Sequence, residues 1–400
     1  MAWRQFYRSI CRDLLLWLML ASAVGVLGGG AAAIFLLALD WATQTRIATP
    51  QLIWGLPVAG FLIGWLYYRF GRQVEAGNNL LIDEIHDPKA TIPLRMAPLV
   101  LIGTITSLAD QIAKWTKRPF DDRRVLLMAG MSAGFAGVFG TPLAGAVFGL
   151  EVLALGKMRN NALFPCLIAS IVSDGVVRAL GVAHTHYAIP AIPAITWYTV
   201  LAIIIAGILF GLSGKLFAEL THSLSAQFKR IAYPPLRPFM GGLVIAIVVY
   251  FSGADRYIGL GIPTIVDAFV QPLPFWDAPF KLLFTTFSLG AGFKGGEVTP
   301  LFYIGATLGN SLAPIFNLPF AFLAALGFVA VFAGAANTPL ACTLMAIELF
   351  GAAIAPYALL ACVVAYLFSG HSGIYKSQRL GSGKGRLLAE KYAKKRLSDR

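Results

Sequence analysis

The chain has 400 residues, of which 58% are hydrophobic and only 13% charged, about half the charge that a soluble domain carries. With a mean hydropathy of +0.72, so few charges cannot cover a water-facing surface; the two or three soluble domains that the length would allow are excluded, and a bilayer is the expected solvent. A net charge of +13 would suit a nucleic-acid binder, but the basic residues gather at the chain ends and between apolar runs, where they mark the cytoplasmic side of a membrane protein.

In chain order, Arg4, Arg8 and Arg12 precede the first apolar run, and Ala21-Ser22-Ala23 imitates a signal-peptide cleavage site. The uncharged run nevertheless continues unbroken from Leu14 to Leu39, which is long enough for a spanning helix and too long for a signal core. Residues 1–13 are therefore expected to be a cytoplasmic N-terminus. After a second run, 47–68, Gly77-Asn78-Asn79-Leu80 opens a short segment behind Arg72 and Glu75. Asparagine amides donate hydrogen bonds without adding charge and could replace part of a small anion's water shell. Taken alone, the tetrapeptide reads rather as a polar turn with Asn as a helix cap. Asp83, Glu84, His86 and Asp87 imitate a metal cluster, but beside Pro88 and Lys89 they are assigned to a cytoplasmic connection. His184 and His186 receive the same assignment, and no metal or other cofactor is expected.

Charge-free runs at 96–109, 160–173 and 282–293 are too short to cross a bilayer alone, since 12 to 14 residues span about 18–21 Å. The long run 298–347 is broken by Gly305, Gly309, Pro314, Pro319, Gly327, Gly334 and Pro339, so it reads as several helices. Broken and half-length helices are the mark of a transporter. Alternation every second residue is absent, so a β-barrel is excluded. The expected fold is all-α and polytopic. Cys11, Cys166, Cys342 and Cys362 carry no metal or disulfide spacing.

An internal repeat underlies the pattern. Phe135-Ala136-Gly137, Thr141-Pro142-Leu143-Ala144 and Glu151 recur as Phe332-Ala333-Gly334, Thr338-Pro339-Leu340-Ala341 and Glu348, all at an offset of 197. Two related halves, 14–228 and 229–375, are therefore expected to face each other across a central site, dividing at the basic stretch Lys229–Arg237. In the second half, Gly290-Ala291-Gly292-Phe293-Lys294-Gly295-Gly296-Glu297-Val298-Thr299-Pro300 places glycines before a helix that begins with Pro. Such an N-terminus within a membrane is a ready anion site. Glu297 is an ionisable residue at membrane depth, hence a candidate for function; the bland alternative is a capping glutamate in an interfacial loop. Tyr375 ends the last apolar run. Residues 376–400 hold nine Lys or Arg against two acids and read as a solvated cytoplasmic tail resting on anionic headgroups, with Gln378 exposed. No P-loop, GxSxG or HExxH motif supports an enzyme.

Together these residues resemble the CLC family of chloride channels and anion/proton antiporters, from about Trp54 to Arg379. Gly77-Asn78-Asn79-Leu80 stands where chloride-type members carry Gly-Ser-Gly-Ile-Pro, and Gly295-Gly296-Glu297-Val298-Thr299-Pro300 stands where they carry Gly-x-Phe-x-Pro. Tyr375 matches the family's inner-gate tyrosine. With Glu84-Ile85-His86-Asp87-Pro88, the Asn and Glu-Val-Thr versions look like the bacterial fluoride/proton antiporter branch. The resemblance implies an inverted repeat, a homodimer with one pore per subunit in the inner membrane, and both termini cytoplasmic. It also implies anion contacts from Asn78, Asn79, Gly296, Glu297, Val298, Thr299 and Tyr375, with Glu297 on the proton path.

One departure stands out. The family's Gly-Arg-Glu-Gly motif, whose glutamate is outer gate and proton carrier, is absent; Leu99–Thr106 runs straight into Ser107-Leu108-Ala109-Asp110. Counting back from Thr141 as far as Glu297 lies before Thr338 reaches only Val100, in an apolar stretch. A piece of about one helix is missing from the first half. Fluoride export coupled to protons, with that coupling weakened, is the leading expectation. A non-transporting or defective membrane subunit, or a passive chloride or anion channel, remains the alternative. The expected partners are fluoride or chloride, protons, the lipid bilayer and a second copy of the chain, with no nucleic acid.

Overall fold

The computed structural model describes residues 2–71, 78–86, 101–155 and 158–380, and Lys384. The first half contains α1 (Ala2–Ala48), α2 (Leu56–Phe70), α3 (Asn78–His86), α4 (Leu101–Trp115), α5 (Phe120–Phe139), α6 (Pro142–Glu151) and α7 (Leu163–Ala179). Next comes α8 (Trp197–Phe228), on the first-half side of the division expected at Lys229–Arg237, and the second half contains α9 (Leu236–Ser252), α10 (Ile262–Asp267), α11 (Asp277–Gly290), α12 (Val298–Leu312), α13 (Phe320–Ala336), α14 (Pro339–Phe350) and α15 (Ala355–Phe368). The fold is all-α, polytopic and built from broken and half-length helices. Two two-residue strands, Ala154–Leu155 and Arg379–Leu380, pair in parallel.

Among the described residues, four helical segments are long and apolar enough to cross a bilayer: Cys11–Ala48, Pro50–Phe70, Asn160–Ala179 and Trp197–Phe228. The third extends the short run 160–173, because Asp174 and Arg178 pair one turn apart at 2.9 Å and let the helix continue through charged residues. The long run 298–347 divides as expected into α12, α13 and α14.

The two halves repeat one another helix by helix. Helices α4 and α12 have the same length, and their first residues, Leu101 and Val298, stand at the offset of the sequence repeat. The last residues of α5 and α13, Phe139 and Ala336, keep that offset, as do the first residues of α6 and α14, Pro142 and Pro339. So do Gly140 (φ 68°) and Asn337 (φ 60°), which end α5 and α13 in the left-handed conformation that Gly and Asn adopt at least cost. Phe135 and Phe332, equivalent in the repeat, stack on each other at 6.1 Å between ring centroids, so the pseudo-two-fold axis passes through the aromatic core.

The register changes upstream. Helices α2 and α9 begin at Leu56 and Leu236, and α3 and α10 at Asn78 and Ile262. Both pairs stand closer in sequence than α4 and α12 do, so the second half gains chain between α10 and α12. The gain is about the length of α11, and among the described residues α11 has no counterpart. The shortfall read from sequence thus amounts to about the length of α11, and it falls between the starts of α3 and α4, in a stretch where 87–100, with Leu99 and Val100, lie outside the described residues.

Helices α6 and α14 run antiparallel across the axis, and each completes the other. The Glu151 carboxylate, at the end of α6, accepts the N–H groups of Leu340 (3.1 Å) and Ala341 (2.8 Å) in the first turn of α14. The Glu348 carboxylate, near the end of α14, accepts those of Leu143 (2.8 Å) and Ala144 (2.9 Å) in the first turn of α6. Both helices begin with Pro, and the glutamates supply acceptors for N–H groups that have no partner within the helix. In the second half, Gly305 and Gly309 of α12 lie against Gly327 and Leu323 of α13 so closely that a Cβ would strike backbone; small residues four apart permit this approach.

Candidate anion site

The site gathers where α12 starts, α13 ends and the chain beyond α15 crosses the same end of the molecule. Gly292, at φ 100°, turns the chain after α11, a conformation reserved for glycine. Gly295 and Gly296 follow, with open space where a Cβ would stand, and Glu297 lies immediately before α12. Its side chain makes no capping bond to the helix, so the capping alternative is removed. The N–H groups of Gly296, Glu297 and Val298 bond no backbone acceptor among the described residues, as expected at the open end of a helix. Val298 is buried, while Glu297 and Thr299 are partly exposed.

Tyr375 lies 3% exposed, within electrostatic reach of the Glu297 carboxylate. It belongs to a strap tied to the body on both sides. The Ile374 N–H donates to the Ala335 carbonyl at 2.9 Å, and the Arg379 N–H to Leu153 at 3.3 Å. Between them, the Ser377 N–H donates to Asn79 Oδ1 at 3.1 Å, and the Ser377 hydroxyl to Asp83 at 2.9 Å. Because that backbone donor must meet an oxygen, the Asn79 amide is oriented with its NH₂ group away from the strap. Burial and the nearby Lys229 ammonium push the Lys376 amine below its ordinary range.

Asn79, Glu297, Thr299 and Tyr375 are thus placed around the α12 N-terminus and the strap. Among the described residues, the Glu297 carboxylate and the Thr299 and Tyr375 hydroxyls form no hydrogen bond or ion pair. Three polar groups without partners, beside an open helix end, can serve a small anion as donors once Glu297 carries a proton. Asn78 begins α3; its side chain and Gly77 lie outside the description.

One expectation is corrected. Gln378, expected to be exposed in the tail, is fully buried: its amide NH₂ donates to the carbonyls of Val152 (2.9 Å) and Ala336 (2.8 Å). A basic flanking sequence concealed a residue that joins the two halves. Asp83, Glu84 and His86, expected in a cytoplasmic connection, lie on α3, packed against the body. His86 Nε2 bonds the Leu153 carbonyl at 2.8 Å, and Glu84 faces Arg123 at 3.8 Å. Asp110, 1% exposed, meets the same guanidinium through both oxygens. Asp87 lies outside the described residues. Sequence reasoning also missed Asn337, although an asparagine between a helix and Thr-Pro is a recognisable left-handed cap.

Residues 105–370 match the family described as voltage gated chloride channel, Voltage_CLC. The chain belongs to the CLC family. A "chloride/fluoride channel protein" of Pseudomonas syringae pv. tomato is 58% identical over 394 aligned positions, covering 92% of this chain and 87% of that one. More positions are aligned than this chain supplies, so the relative carries residues with no counterpart here. A "voltage-gated ClC-type chloride channel ClcB" of Escherichia coli is 27% identical, covering 88% of this chain and 95% of its own. Among solved structures, a CLC-type fluoride/proton antiporter superposes with a TM-score of 0.88 at 32% identity, covering 92% of this chain and 98% of that one. A slow cyanobacterial Cl⁻/H⁺ antiporter superposes at 0.73 with 21% identity, covering 90% and 94%; that likeness is one of fold. The CLC assignment makes this chain a membrane protein of anion transport.

Proposed function

We propose that this CLC protein conducts fluoride across the inner membrane, as a homodimer with both termini in the cytoplasm, and that its anion movement is weakly coupled to protons. The reading rests chiefly on the unpartnered Glu297, Thr299 and Tyr375 groups beside the α12 N-terminus. Fluoride is small and strongly hydrated. Releasing it from water requires several short, directed donors, which the Asn79 NH₂, the hydroxyls and the helix N–H groups provide. The likeness to a fluoride/proton antiporter supports fluoride over chloride. Weak coupling follows from the one-helix shortfall before α4: Val100 stands at the position equivalent to Glu297, so only one half offers an acid.

A second reading, a subunit that does not transport by itself, is favoured by the same shortfall, because the helix opposite α11 would help wall the path. One experiment separates the readings. Protein in liposomes under an outward fluoride gradient should release fluoride with little movement of internal pH. Stoichiometric proton uptake against its own gradient would refute weak coupling, and no release would favour the silent subunit.

A further inference from the structure

Beyond the strap, Lys384 returns to the body with its ammonium fully engaged. Nζ donates to Asn337 Oδ1 (2.6 Å), to the Tyr366 carbonyl (2.6 Å) and to the Ser369 hydroxyl (3.0 Å), and it lies 3.9 Å from the centre of the Tyr366 ring. Three donors thus meet three acceptors. They lie where α13 and α15 end, at the negative poles of two helices. The backbone is held too: the Lys384 N–H donates to His371 Nε2 at 3.1 Å.

From this ammonium a polarised chain of amides leads inward. Lys384 can only donate, so the end of Asn337 that it meets is oxygen, and the Asn337 NH₂ faces the other way. That NH₂ donates to Gln378 Oε1 at 3.1 Å and to the Ser372 carbonyl at 3.2 Å. With its oxygen so occupied, Gln378 turns its own NH₂ to the Val152 and Ala336 carbonyls. Its backbone N–H donates to the Tyr375 carbonyl at 3.2 Å. An asparagine side chain has two ends of nearly equal size; the Ser372 carbonyl and the Gln378 oxygen hold its NH₂ on one side, and the lysine charge holds its oxygen on the other. Without that charge the Asn337 oxygen loses its partner and the amide is held from one side only; any shift or reversal would bring two oxygens together, and Gln378 could keep its carbonyl contacts only by moving.

We infer that Gln378 is a positioning residue for Tyr375, and that Lys384, acting through Asn337, sets the orientation of Gln378. Lys384 thereby controls anion affinity from outside the anion path, an inference that rests on the reading of Tyr375 as an anion contact. Loss of the Lys384 charge should weaken fluoride binding about fivefold to tenfold, the effect of about one ordinary hydrogen bond transmitted to the site, and should change the surroundings of the Tyr375 ring.

The test replaces the charge chemically. The full chain, with Cys11→Ser to remove the exposed thiol, is given Lys384→Cys and labelled with 3-fluorotyrosine, the Tyr375 resonance being assigned by Tyr375→Phe. Alkylation with 2-bromoethylamine rebuilds an ammonium of near-lysine length; alkylation with bromoethane adds a neutral group. The Tyr375 resonance should move in Lys384→Cys, return on aminoethylation and stay displaced on ethylation, with fluoride affinity, measured by calorimetry, following it. Gln378→Met should reproduce the displaced state; if that variant does not fold, the Lys384 series decides alone. A Tyr375 resonance indifferent to Lys384→Cys, or not restored by the new ammonium, overturns the inference. A resonance that moves and returns while fluoride affinity stays constant upholds the positioning of Tyr375 and defeats its assignment to the anion.

Discussion

Neutralising Glu151 should loosen the joint between the halves more than neutralising Glu348, although the two are equivalent in the repeat. Glu151→Gln keeps one acceptor oxygen and turns an NH₂ group toward the second N–H of α14. One N–H in a buried setting loses its partner, at about 1–3 kcal/mol, and the charge that opposes the α14 dipole is lost at about 0.3–1 kcal/mol. Glu151 is 8% exposed, so water cannot make good the loss, and the total is about 1.3–4 kcal/mol. Glu348 is partly exposed, so water can replace part of its contact and the cost of Glu348→Gln is about 1–2 kcal/mol. The caps lie at opposite ends of α6, ten residues long and hence about 15 Å apart, so the double variant should be additive within about 0.5 kcal/mol. Unfolding by SDS titration in mixed micelles gives the energies, with Glu219→Gln at a half-exposed i,i+4 pair as a control near zero. Unfolding energies equal to the parent's in Glu151→Gln would refute the reasoning, and strong non-additivity would mean that the caps act as one unit.

Asn79→Asp, which keeps the oxygen that Ser377 needs but removes the NH₂ donor and adds charge, should lower fluoride affinity at least about tenfold with little loss of stability; unchanged calorimetric affinity removes Asn79 from the site. Thr299→Val should weaken fluoride binding by about 1–2 kcal/mol at constant unfolding energy, and an equal affinity would mean that the hydroxyl faces no anion. Gly305→Ala, forcing a methyl onto the α13 backbone, should cost about 1–3 kcal/mol in SDS titration, whereas Gly175→Ala, with open space around it, should not destabilise.

What the sequence could disclose depended on distance along the chain. The Phe-Ala-Gly, Thr-Pro-Leu-Ala and Glu repeat, and the broken run 298–347, are written in local order, and the α13–α14 boundary at Asn337-Thr338-Pro339 follows directly from them. The same motif hid what its glutamates do. The partners of each lie 189 to 205 residues away and are chosen by antiparallel packing. Gln378 failed for a related reason: its neighbours are basic and polar, so composition assigned it to solvent, yet its partners come from Val152 and Ala336. The position of Glu297 before a helix was readable from Gly-Gly and Pro. The absence of partners for its carboxylate was not, because it depends on what the rest of the chain fails to bring near.

The reciprocal caps also impose an order on synthesis. Glu151 has already been made when α14 emerges, so Leu340 and Ala341 find their acceptor waiting. Leu143 and Ala144 must wait for Glu348, 205 residues after Leu143, which at about 5–20 residues per second is about 10–40 s. Throughout that interval the first turn of α6 stands in or near lipid with donors that its own half cannot satisfy. The nascent first half must therefore be kept beside water or the insertion machinery, and a ribosome stalled before residue 348 would release an intermediate open to degradation.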